Sequence, residues 1–165
     1  MNVCLCRVDD RLIHGQITAA WIREFGITNV YIVDDELAED RLATKVIGLT
    51  IPPQIGLQVL SVPQMADLIQ VADTEWNPAR AMILFRDLNM AGKLFLCSGR
   101  FANQLVLGGT TARLGRVEVR KGLFLSEEEI DAILQLEDQV GIAVQFQLLP
   151  GAEPINVKEL LTERL

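Results

Sequence analysis

Residues 7–16, RVDDRLIHGQ, gather two arginines, two aspartates and the only histidine of the chain, His14. Histidine changes charge near neutrality, and one imidazole nitrogen can act as a nucleophile while the other is held by a partner. Arg7 and Arg11 carry forked donors that match phosphate oxygens. Gly15 and Gln16 open a helical stretch, and a helix start offers free N–H groups and a positive dipole end to an anion. Asp9 or Asp10 is placed to accept from one ring nitrogen. Together these residues suit binding a phosphoryl group and accepting it covalently on His14. Such transfer asks mainly for positioning and charge stabilisation. The same residues also fit a plainer reading, a histidine near a helix start with solvated Asp–Arg pairs beside it.

The elements that must position this loop follow from hydrophobic patterning. NVCLCRV (2–8), TNVYIVD (28–34), LQVLS (57–61), ARAMILF (79–85) and QLVLGG (104–109) are short apolar runs without clean alternation. Runs of that kind are strands covered on both faces. Between them lie helical segments at 15–26, 35–49, 62–72 and 87–99. In the first, Ile17, Trp21 and Phe25 recur every fourth residue and Gly26 supplies a stop. Strand–helix alternation implies a parallel α/β sheet with right-handed crossovers and helices on both faces. The last third predicts an alternating strand at 116–120, a helix opened by a Ser126–Glu129 capping box, a strand at 142–149 and a short terminal helix over 156–165. No repeat or linker divides the chain, so residues 1–165 read as one domain.

Ligands of such sheets sit beyond the carboxyl ends of the strands. Asp9 to His14, Asp34 and Asp35, Ser61, Arg86 and Asp87, and Gly108 to Thr111 fall there. Arg7, Arg11 and Arg86 are the cations expected to make that edge locally basic. Asp34 and Asp35 also read as a helix cap, Arg86 as a surface charge, and the glycine pair as a tight turn.

Composition narrows the function. The formal net charge of -7 argues against a nucleic-acid partner, which needs a basic face. No run reaches the roughly 18 apolar residues of a membrane span, and the start MNVCLCRVDD lacks the pattern of a secretory signal. Cys4, Cys6 and Cys97 read as reduced small hydrophobes, with Cys4 and Cys6 on one strand face. With one histidine and no C-x-x-C, neither a metal nor another cofactor is expected.

RVDDRLIHGQITAAW closely resembles the first loop and helix of IIB components in the mannose/fructose/sorbose family of the bacterial phosphoenolpyruvate-dependent sugar phosphotransferase system. Arg7, Asp9, Arg11, Leu12, His14, Gly15 and Gln16 match its signature, and Ile17 replaces the usual Val. IVDDELAED (32–40), LSVPQMADLI (60–69) and ILFRD (83–87) resemble later family segments, so the likeness runs through the whole chain. The resemblance implies an open, mostly parallel sheet of about seven strands and a transferase activity. It makes His14 the phosphohistidine, charged by a IIA partner and discharged to a sugar held by membrane IIC/IID components. It gives Arg11 the phosphoryl oxygens and Asp9 the imidazole. Arg7, Gly15, Gln16 and Arg86 are the further phosphoryl-binding candidates. A cytoplasmic protein associated peripherally with its permease is implied, and a homodimer, since family members often dimerise. The segment LVLGGTTARLGRVEVRKG (105–122) departs from the usual family turn of the type NVGGM, and the helix after Arg86 is also atypical. A regulatory α/β module that binds a phosphate or small molecule is the alternative, although no G-x-G-x-x-G or P-loop supports it.

Overall fold

The computed structural model describes residues 1–72 and 79–163, with the side chains of Gln16, Ile17 and Ala72 left aside. The apolar runs become strands β1 (Asn2–Val8), β2 (Asn29–Val33), β3 (Gly56–Leu60), β4 (Arg80–Phe85) and β5 (Gln104–Leu107). A hairpin follows, β6 (Val117–Arg120) and β7 (Leu123–Leu125), and then β8 (Ala143–Phe146) and β9 (Ile155–Asn156). Seven strands share one sheet in the order β3-β2-β4-β1-β5-β8-β9. Every neighbouring pair is parallel except β8 and β9. The hairpin β6-β7 stands apart from that sheet.

The helices are α1 (Gly15–Phe25), α2 (Asp35–Glu39), α3 (Arg41–Gly48), α4 (Val62–Ala72), α5 (Leu88–Ser98), α6 (Glu127–Gln135) and α7 (Val157–Thr162). They cover both faces. Trp21, Leu37 and Ile51 pack with Val30, Ile32 and Leu84 on one side. Met65, Ile69, Leu94, Phe95, Ile133 and Val157 pack with Val33, Ile83 and Leu105 on the other. Gly26 ends α1 in the left-handed region at φ 56°, and α6 opens with the Ser126–Glu129 capping box. Residues 164 and 165 of the expected terminal helix lie outside the described residues.

Two local expectations are corrected. Residues 35–49 form two helices because Asp40 interrupts them. Its carboxylate accepts from Leu42 N and Ala43 N, while its own N–H bonds to Leu37 O. An aspartate that caps one helix start cannot also continue the preceding helix. Cys4 and Cys6 do not share a face. The β1–β4 register slips between Val3 and Leu5, so Cys4 is the extra residue of a bulge. Cys4 then packs on the α1 side and Cys6 on the opposite side.

The helix after β1 lies on one face and the helix after β4 on the other. β1 and β4 are adjacent, so a crevice opens beyond their carboxyl ends. The loop holding His14 leaves β1 at that point.

Candidate functional site

The loop is built from a strand end, a tight turn and a helix start. Asp9 N donates to Phe85 O at 3.0 Å, and Leu12 N donates to Asp9 O at 2.9 Å, closing the turn. Leu12 is buried yet has a φ of 54°. A side chain in the left-handed region is unusual and marks a conformation imposed by its surroundings. Gly15, at φ 34°, carries the chain into α1 without such strain. His14 occupies the N-cap position of α1 and is exposed. Its N–H donates to Thr18 Oγ1 at 2.9 Å, which leaves the ring free to face outward. No acidic residue stands in the first turn of α1, so its positive end is not neutralised from within.

A chain of charge-assisted contacts fixes the ring. Arg11 Nη1 lies 3.2 Å from His14 Nε2. A guanidinium only donates, so this is a hydrogen bond when Nε2 is unprotonated. Arg11 is held in turn by Asp9 Oδ1, which accepts from Arg11 N at 3.2 Å and from Arg11 Nε at 3.5 Å. Asp9 Oδ2 accepts from Arg7 Nη2 at 3.2 Å. Asp9, expected to meet the imidazole directly, therefore reaches it through Arg11. Arg7, expected to bind phosphoryl oxygens, is 1% exposed and lies beneath the loop. Its Nη1 donates to Gln147 O at 2.8 Å and its Nη2 to Leu148 O at 3.4 Å. Its guanidinium also stacks 4.9 Å from the centre of the Trp21 ring. Burial pulls the Arg7 pKa below the ordinary arginine value, against the opposing pull of Asp9. Arg7 is thus the buried counter-ion of Asp9, covered by the loop rather than facing solvent.

Gly108 makes that pair possible. A Cβ there would sit 2.6 Å from Arg7 Nη2 and 2.7 Å from Asp9 Oδ2. The glycine is required by close approach rather than by a left-handed turn.

Asp10, the alternative acceptor for the imidazole, turns instead to the segment after β5 and is the second anchor of the loop. Its Oδ2 accepts from Thr111 N at 3.0 Å, Thr111 Oγ1 at 3.1 Å and Arg116 Nη1 at 2.9 Å, and pairs with Arg113 Nη2 at 3.3 Å. Its Oδ1 is buried and has no partner among the described residues. Burial raises the Asp10 pKa, but the Arg116 and Thr111 bonds outweigh it and leave the group below the ordinary aspartate value. The Arg116 side chain is largely covered, 4% exposed, and donates from Nε to Glu129 Oε2 at 2.8 Å. Glu129 thereby serves both the capping box and the loop. The sequence showed the capping box but held no sign of its distant arginine.

The remaining candidates separate. Arg86 Nη2 pairs with Asp34 Oδ2 at 2.8 Å, so its charge is compensated. Asp34 also caps α2, accepting from Leu37 N at 2.9 Å. Thr110 is buried and exchanges hydrogen bonds with Phe124, tying the segment after β5 to the hairpin. Gln16 stands in the first turn of α1, but its side chain lies outside the described ones. Among the described residues, no helix is long and apolar enough to cross a membrane.

A mostly parallel sheet carrying an arginine-bonded histidine at a helix start has the features of a phosphoryl-handling α/β domain. Comparison with known proteins gives the family. The model of the PTS system sorbose subfamily IIB component matches residues 3–165. The fructose-specific EIIB component of Bacillus subtilis is 28% identical, over 92% of this chain and 90% of its own. The mannose-specific EIIAB component of Escherichia coli K12 is 25% identical over 99% of this chain. The chain spans about half of that relative, 49%. The IIB domain of the Klebsiella pneumoniae sorbose permease superposes with a TM-score of 0.89, covering 100% of this chain and 99% of that one at 22% identity, and so shares the fold. The chain belongs to the sorbose subfamily of phosphotransferase-system IIB components.

Proposed function

We propose that His14 is the phosphoacceptor, charged by the phosphohistidine of a IIA partner and discharged to a sugar held by membrane IIC/IID components. The observation that carries this reading is the 3.2 Å contact between Arg11 Nη1 and His14 Nε2, with Arg11 itself held by Asp9. A ring nitrogen of His14 attacks phosphorus as the N–P bond of the donor breaks. The donor imidazole leaves as the base. In the second half, a sugar hydroxyl attacks phosphorus, the His14 N–P bond breaks, and the hydroxyl proton passes to a base. Arg11 moves from the ring to the phosphoryl oxygens, and the free N–H groups at the start of α1, from Gly15 and Gln16 onward, add donors. Asp9 fixes Arg11, and Arg7 holds Asp9 in place from beneath. Arg86, balanced by Asp34, contributes only to the edge of the basic mouth. The protein works on the cytoplasmic side, beside the permease it serves.

The test supplies phosphoenolpyruvate, the general phosphotransferase proteins and a IIA partner, and follows an acid-labile phosphoryl group on this chain. His14→Gln is expected to take up none, and equal labelling of that variant would place the acceptor elsewhere. Arg11→Glu is expected to slow labelling about 100-fold, the usual scale for losing one donor to a developing oxyanion. Its thermal unfolding should hardly change, because Arg11 is largely exposed and its pairs are screened by solvent.

A further inference from the structure

Two adjacent aspartates hold the His14 loop, and they hold it to different things. Asp9 faces inward, to Arg7 and Arg11. Asp10 faces the segment between β5 and β6, and it grips Thr111, Arg113 and Arg116 together. That segment is fixed at three points. Thr110 bonds the hairpin through Gly122 and Phe124, Thr111 bonds Asp10, and Arg116 bonds Glu129 at the start of α6. Between the last two points the chain turns outward, with Arg116 N donating to Arg113 O and Gly115 at φ 86°. Leu114 at the tip has a relative exposure of 104%, the highest of the large apolar residues among those described. A leucine held wholly in water on a pinned turn gains nothing from the fold. Beside it lies an open cleft of about 680 Å³, lined by Asp87, Leu88, Arg113, Arg116, Glu128 and Glu129. That space admits one or two side chains of another protein.

The occupant follows from continuity with the phosphoryl site. Asp10 is covalently next to Arg11, the residue that touches His14. A protein that delivers a phosphoryl group to His14 is therefore brought against whatever Asp10 fixes. Arg113, half exposed at the same turn, is paired with Asp10 and lines the cleft beside Asp87 and Glu128, so the uncompensated contact the turn offers a docked donor is Leu114. We propose that Asp10 is a positioning residue that seats the phosphodonor protein, by setting the Arg113–Leu114 turn in register with His14, while Asp9 serves the chemistry. This rests on His14 being the phosphoacceptor.

The experiment uses the full chain and a phosphorylated IIA partner at varied concentration. Leu114→Asp and Asp10→Asn are compared with Asp9→Asn and His14→Gln. Leu114→Asp changes a solvent-exposed side chain and should fold normally. Its KM for the donor is expected to rise about tenfold, with kcat at saturating donor changed less than about twofold, the signature of lost binding shared by ground and transition states. Asp10→Asn should likewise raise the donor KM, since it frees the same turn. Asp9→Asn should instead lower kcat. An unchanged donor KM in Leu114→Asp overturns the proposal. So does a defect seen only when phosphorylated chain is mixed with permease membranes and sugar, which assigns the turn to the permease. Labelling of His14→Gln would mean that the His14 reading itself had failed, independently of the Leu114 result.

Discussion

At the scale of single residues, the site depends on contacts that no side chain makes alone. Arg7, Asp9 and Gly108 form one unit, because the arginine and the carboxylate occupy the space that a Cβ at position 108 needs. Both charged groups are buried and cannot step aside. Gly108→Ala is therefore expected to cost about 3 to 5 kcal/mol in urea denaturation, the scale of breaking a buried ion pair. It should also slow phosphorylation of His14. Gly109→Ala is the comparison, since its Cβ would press on the flexible end of Leu148, at 3.3 Å, and stand in ordinary contact with Gly122 O, at 3.7 Å, so the loss should be much smaller. The cluster of charge around His14 was legible in the sequence, but the division of labour within it was not. Arg7 and Arg11 are the same residue type four positions apart. One lies inside β1 and the other on the turn, and the bulge at Cys4 obscures which way the strand residues point. Asp9 and Asp10 differ in the same way, and the partners of Asp10 lie more than 100 residues further on.

At the scale of elements, the segment from Thr110 to Arg116 behaves as a strap between β5 and α6, and Asp10 is its buckle. The folded pKa of Asp10 lies below the unfolded value, so its contribution is complete above the ordinary aspartate pKa of about 3.9 and fades as pH falls through the lower folded value. The stability difference between wild type and Asp10→Asn is thus expected to be large near neutrality and to vanish in acid. Unfolding by urea at a series of pH values measures it, and a difference that grew on acidification would be the wrong sign. The helices and the buried strands were readable because hydrophobic period and caps act locally, as at Gly26 and Ser126. The breaks were not. Asp40 could continue a helix or start one, and only its bonds to Leu42 and Ala43 decide. β7 and β9 have three and two residues, too short to carry any period.

At the scale of the molecule, charge is unevenly placed. The chain carries a formal net charge of -7, yet Arg11 and Arg113 stand exposed at the carboxyl edge of the sheet. An acidic body with a basic edge orients an anionic partner toward that edge and away from the rest. The rate of phosphoryl transfer at low donor concentration should fall as salt rises from about 20 to 200 mM, while the rate at saturating donor stays nearly constant. Strand order is the part of the fold that the sequence hides. Nothing local says that β4 enters between β1 and β2, because that placement is set by packing across the whole sheet. The clamp on Arg7 has a consequence for the birth of the protein. Its carbonyl partners, Gln147 and Leu148, come 140 and 141 residues later in the chain. A ribosome releases His14 well before those carbonyls. A nascent chain thus shows its histidine before the loop around it can set, and it becomes chargeable only after Leu148 has emerged.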